Sequence, residues 1–112
     1  MSTPLTLNLS QGSLRFAFSS EAALDLKTAL DQLMTTLKAA TAQAGEAPRR
    51  TVQPSLEYRH TGEVFLEVFC NPNIWPSPFA AKVLLTLRDE RIRVTTEAEL
   101  SQIYEDINTY LS

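Results

Sequence analysis

EVFLEVFC (Glu63–Cys70), NPNIWPSPF (Asn71–Phe79) and AAKVLLTLRDERIRV (Ala80–Val94) follow one another without a break. In the first segment Val64, Leu66, Val68 and Cys70 take every second place, and Glu63, Phe65, Glu67 and Phe69 take the others. Successive strand side chains point to opposite faces, so the segment reads as a strand with one apolar face. Its other face carries two phenylalanines among two glutamates, where a solvated sheet surface is normally polar throughout. The third segment repeats the pattern, with Ala81, Val83, Leu85 and Leu87 on the apolar side and Lys82, Leu84, Thr86 and Arg88 outward. Asp89 and Glu90 mark a turn, after which Ile92 and Val94 are expected on the apolar side and Arg91 and Arg93 outward.

Upstream, Leu56 and Tyr58 alternate with Glu57 and Arg59 ahead of His60, Thr61 and Gly62. A three-residue loop with Gly62 left-handed would pair Arg59 with Glu63 and Tyr58 with Val64, which keeps the apolar faces matched. At the start of the chain Leu5, Leu7 and Leu9 alternate with polar residues, and so do Leu14, Phe16 and Phe18 after Gln11 and Gly12. If Gln11 and Gly12 form the turn, Ser10 pairs with Ser13, Leu9 with Leu14 and Leu7 with Phe16, and all six apolar side chains share one face.

Ser19 or Ser20 offers an N-cap oxygen for a helix from about Glu21 to Ala42 that is free of Gly and Pro. Leu26, Leu30, Leu33 and Leu37 form its apolar stripe, widened by Ala22, Ala29, Met34 and Ala40. The run QAGEAPRRTVQ at 43–53 has no period and reads as a flexible connection. Thr96 and Glu99 have capping-box spacing, ahead of a second stripe of Leu100, Ile103, Ile107 and Leu111. The predicted order is therefore ββαββββα. It describes an α+β two-layer sandwich, an antiparallel sheet of about six strands with both helices packed on one face, in a single domain spanning 1–112. The first hairpin has two places open to it, beside Leu56–Arg59 or beside Arg91–Val94.

At 112 residues, with 44% hydrophobic and 21% charged content, the chain suits one domain with a real core. No apolar run reaches the length of a membrane span, and the opening MSTPLTLNLS lacks the basic start and apolar core of a signal peptide. A cytoplasmic location without membrane contact is the expectation. The single cysteine excludes an internal disulfide, and a lone core-facing thiol acts as a small hydrophobe. A formal charge of −3 argues against general affinity for nucleic acid.

A cysteine nucleophile activated by histidine needs His60 and Cys70 together, and the hairpin register above sets them roughly 25 to 30 Å apart. His60 is then a solvated turn residue and Cys70 a structural thiol. No His and Cys spacing suits a metal, and Gly12, Gly45 and Gly62 stand alone rather than in a phosphate loop. Glu97, Glu99, Glu105 and Asp106 read as the solvated face of the last helix. Neither a catalytic centre nor a cofactor is expected.

Two surfaces remain. In Asn71–Phe79 three prolines limit the freedom of Ile74, Trp75 and Phe79, so Trp75 is either a plug for the open end of the sandwich or an anchor for a partner. On the outer sheet face Phe65, Phe69 and Leu84 would lie on adjacent strands among Arg59, Arg88, Arg91, Arg93 and glutamates, an apolar centre with a charged rim. These residues with Trp75 are the candidate partner-binding set. The expected function is non-catalytic protein association, with a second copy as the most economical partner. A single-stranded nucleic acid stacked on Phe65 and Phe69 is the alternative, opposed by Glu57, Glu63 and Glu67 in the middle of the platform.

Overall fold

The computed structural model describes residues 3–42 and 52–112, and the side chains of all of these but 41 and 42. Among these residues the order is β1 (Thr3–Leu9), β2 (Gly12–Phe18), α1 (Ser20–Ala42), β3 (Leu56–Thr61), β4 (Phe65–Cys70), β5 (Lys82–Arg88), β6 (Arg93–Glu99) and α2 (Leu100–Leu111), with a single 3-10 turn at Pro72–Ile74. The α+β class and the ββαββββα order hold. The strands form two antiparallel sheets: the hairpin β1-β2 and a meander in the order β3-β4-β5-β6. The hairpin lies beside β6, on the Arg91–Val94 side of the two positions considered, without extending the meander's hydrogen-bond ladder.

One core joins all the layers. Leu5, Leu7, Phe16 and Phe18 from the hairpin, Leu26, Leu30, Leu33 and Leu37 from α1, Leu66, Val68, Val83 and Leu85 from the meander, and Leu100, Ile103 and Ile107 from α2 belong to one buried cluster. Period-two and period-3.6 spacing place every one of these side chains on a single face of its element, which is why one layer of core suffices. Ser19 caps α1, its Oγ accepting from Ala22 N at 3.1 Å.

Both hairpins differ from the expected register by an even number of residues, so every side chain keeps its face. In the first, Leu7 pairs with Leu14 and Leu9 with Gly12, so Ser10 and Gln11 make the turn. Gly12 has φ +145°, the only positive φ among the described residues. In the second, Tyr58 pairs with Val68 and Arg59 with Glu67, and the chain reverses through Gly62, Glu63 and Val64. Gly62 is not left-handed as expected, and a Cβ at that position would come within 2.7 Å of His60 Nε2, so the imidazole would have to shift to admit one.

Three further expectations are corrected. Thr96 and Glu99 are strand residues and not a capping box: β6 runs to Glu99, opposite Lys82, and α2 opens with Leu100 N donating to the Ala81 carbonyl at 3.0 Å. The strand wins because alternation continues through Val94, Thr96 and Ala98 to a pairing already begun at Arg93. Ile92 is exposed, because Asp89–Ile92 form the turn itself, with Asp89 Oδ1 accepting from Arg91 N and Ile92 N. Asp106 is not on the solvated face. It is 8% exposed and accepts from Asn8 N at 2.7 Å, Asn8 Nδ2 at 3.0 Å and Gln102 Nε2 at 2.9 Å, tying α2 to β1. The expected flexible connection at 43–53 lies mostly outside the described residues. At its end Gln53 is held by Asn73 through two 2.8 Å hydrogen bonds.

Candidate functional site

The outer face of the meander is the side turned away from both helices. Its cross-strand register sorts its side chains into rows. The first row is Thr61, Phe65, Arg88 and Arg93, and the second is Arg59, Glu67, Thr86 and Thr95. The third is Glu57, Phe69, Leu84 and Glu97, and Lys82 stands opposite Glu99 beyond it. The strand positions of this face carry Arg59, Lys82, Arg88 and Arg93 against Glu57, Glu67, Glu97 and Glu99, so the charges cancel. They are not evenly mixed: both arginines of the first row sit at one end, and both glutamates of the third at the other.

Phe65 and Phe69 occupy different surroundings. The Arg88 guanidinium carbon lies 4.3 Å above the centre of the Phe65 ring, a cation–π contact that covers its π-face. Phe69 is 37% exposed and directly paired with Leu84, which is 41% exposed. Between the two phenylalanines, Arg59 Nε donates to Glu67 Oε2 at 2.8 Å and Arg59 also contacts Glu57 at 3.3 Å. Thr86 beside them is only 6% exposed. The middle row is therefore a closed polar seam, and the apolar surface concentrates at the Phe69–Leu84 corner.

That corner continues into the proline-rich loop. Asn71 Oδ1 accepts from Asn73 N at 3.0 Å and from Asn73 Nδ2 at 2.9 Å, holding the 3-10 turn that projects Ile74 into solvent at 66% exposure. Phe69, Leu84, Ile74 and Trp75 line one cleft of about 210 Å³ with Lys82 and Glu97 at its rim. Trp75 packs against the core as a plug, and its Nε1 is buried without a well-formed hydrogen bond. Phe79, four residues on, is 88% exposed. Of the loop aromatics it is Phe79, with the aliphatic Ile74, that faces solvent, while Trp75 supports the cleft floor.

The remaining basic candidates gather at the opposite end. Phe65, Arg88 and Arg91 line a surface cleft of about 550 Å³ between the β3–β4 and β5–β6 turns, together with Glu63, Asp89 and Glu90. Those acids offset the arginines, so the cleft carries no excess positive charge. Arg93 stands beside Arg88 in the first row and Arg59 is tied to its glutamates.

His60 and Cys70 stay apart. His60 lies in β3 opposite Leu66, half-buried, with its ring 5.0 Å from that of Phe18 in an edge contact, so it is not the solvated turn residue expected. Cys70 is four residues along β4 from Leu66, roughly 13 Å away and nearer than the expected register implied, yet far beyond a hydrogen bond. Burial pushes the Cys70 thiol up to about 11, and the adjacent Trp75 indole offsets only part of this. Such a thiol holds its proton at neutral pH and is a poor nucleophile. Among the described residues no three His, Cys, Asp or Glu side chains gather closely enough to hold a metal ion, and no helix is long and apolar enough to cross a membrane. Comparison with family models, curated proteins and solved structures gives no match to this chain.

Proposed function

We propose that the chain is a small non-catalytic cytoplasmic binding protein acting through protein–protein association, as a homodimer or with an assembly or regulatory partner. The contact surface is the outer face of the meander together with the Ile74–Trp75 loop. The observation that supports this most is the exposed Phe69–Leu84 cross-strand pair, continuous with Ile74 around a cleft floored by Trp75. These three side chains together expose on the order of 250 Å² of apolar surface, approaching the size at which a patch marks an interaction site. Around it the charges balance, as they do at the rim of a protein interface.

A single-stranded nucleic acid asks for a positive groove and free aromatic faces. Here Phe65 is covered by Arg88, and the phosphate path would cross Glu57, Glu67 and Glu97. The test is the molar mass in solution across a concentration series, for the wild type and for Phe69→Ser/Leu84→Ser. Association of the wild type should be lost in the double variant with little change in unfolding midpoint, because neither side chain belongs to the core cluster. A wild type that is monomeric throughout and binds a labelled oligonucleotide with steep salt dependence would overturn the reading.

A further inference from the structure

Resting on that reading, we infer that the partner is a second copy of this chain, packed face to face with its strands running antiparallel to those of the first, so that Arg93 of each copy meets Glu97 of the other. The inference comes from the distribution of charge along the outer face. Its first row carries Arg88 and Arg93, its third carries Glu57 and Glu97, and the Arg59–Glu67 pair between them is neutral as a unit. The face is a charge gradient along the strand direction.

Two-fold pairing of two such faces has two simple solutions with the strands aligned. With the axis parallel to the strands, each row meets its own copy with strand order reversed, and Glu97 of β6 then faces Glu57 of the partner copy's β3. That juxtaposition occurs twice by symmetry and opposes association. With the axis across the strands, lying along the middle row, strand order is kept and the first row meets the third. Arg93 then opposes Glu97 on β6, Phe65 opposes Phe69 on β4, and Arg88 lies over Leu84 and within reach of Glu97. Opposite charges match on β6, and on β4 and β5 the Arg88–Phe65 cation–π stack meets the exposed Phe69–Leu84 pair. The middle row meets its own copy, Thr86 on Thr86 and Thr95 on Thr95, and also Arg59 on Arg59 and Glu67 on Glu67. Those like charges are each paired within their own chain at 2.8 Å, which blunts their repulsion and leaves the two Arg93–Glu97 contacts to decide the sign.

The face spans four strands at about 4.8 Å and seven residues at about 3.3 Å, roughly 20 Å each way. Each copy therefore contributes on the order of 500 Å², which puts the total near the lower limit for a specific interface. The dimer is accordingly expected to be concentration-dependent rather than permanent. Pairing through the open edge of β3 is the competing geometry, and the outward Glu57 and Arg59 on that strand are the kind of charge that blunts an edge.

The test is a charge swap read by sedimentation equilibrium. Arg93→Glu and Glu97→Arg should each weaken the dimer about tenfold or more, since each turns two symmetry-related attractions into repulsions, and combining them should restore wild-type association. All three variants should unfold at the wild-type midpoint, because both positions are exposed. A Glu97→Arg that strengthens association identifies the parallel-axis register and overturns the inference, as does a double variant no better than the singles. A wild type monomeric at every concentration overturns it too. If association survives Phe69→Ser/Leu84→Ser, the fault lies instead in the choice of this face.

Discussion

Replacing Asp106 with Ala should cost far more than replacing its neighbour Glu105, although the two are adjacent acids on one terminal helix. Asp106 accepts three hydrogen bonds from Asn8 and Gln102 and is almost wholly buried, whereas Glu105 is exposed. A hydrogen bond to a charged group contributes about 1.5 to 3 kcal/mol, and a donor left unpaired in a buried place costs about 1 to 3 kcal/mol. Asn8 lies at the surface and its side chain regains water when the carboxylate is removed, as does Gln102 in part, so the three bonds do not add in full. The Asn8 backbone N–H, aimed at the missing carboxylate, sets the residual penalty. A net cost of about 2 to 3 kcal/mol follows, which in a domain of this size lowers Tm by about 8 to 12 °C. Glu105→Ala should stay within about 0.5 kcal/mol. Urea unfolding of the two variants is the assay. Equal costs, or a larger loss at Glu105, would refute the reading of Asp106 as the tie between α2 and β1. Asp106→Ala should also speed hydrogen exchange at Asn8 N ahead of the α1 amides.

Cys70 should react slowly with a thiol reagent in native buffer and quickly once unfolded; fast stoichiometric labelling of the native protein would contradict its core placement. The same proton balance sets an alkaline limit. Burial raises the folded Cys70 to about 11 and, with Asp25 nearby adding to burial, Tyr58 to about 12, from 9.0 and 10.0. The folded state thus keeps protons that the unfolded state gives up. Stability should be constant with pH below about 9 as far as these groups are concerned, then fall as pH rises toward 12. Denaturation midpoints measured at pH 8 and pH 10.5 check it. Leu30→Ala, at a fully buried site, should cost about 2 to 5 kcal/mol, against under about 0.5 for Lys27→Ala; a reversed ranking in chemical denaturation would overturn the assignment of the α1 core face.

The sequence by itself determined which residues face inward. Alternation at Val64–Cys70 and Ala81–Leu87, and the leucine stripe of α1, place side chains by local geometry alone, because period and face are properties of one element. Leu26, Leu30, Leu66, Val68, Val83 and Leu85 are buried as that geometry requires. Pairing registers were less legible, since a slip of two or four residues leaves the pattern of faces untouched. The position of the first hairpin, the continuation of β6 through Glu99 and the burial of Asp106 depend on partners far away in the chain. For Asp106 the partner is Asn8, 98 residues distant, and no local periodicity carries that information. The outer face shows the same division. Its composition was visible in the alternation, but which phenylalanine stands free was decided by Arg88 crossing from the next strand to lie over Phe65, and Leu84 pairing beside Phe69. Only the tertiary register turned the outward charges into a gradient, because a charge acquires a direction along the sheet only when its neighbours on the other strands are fixed.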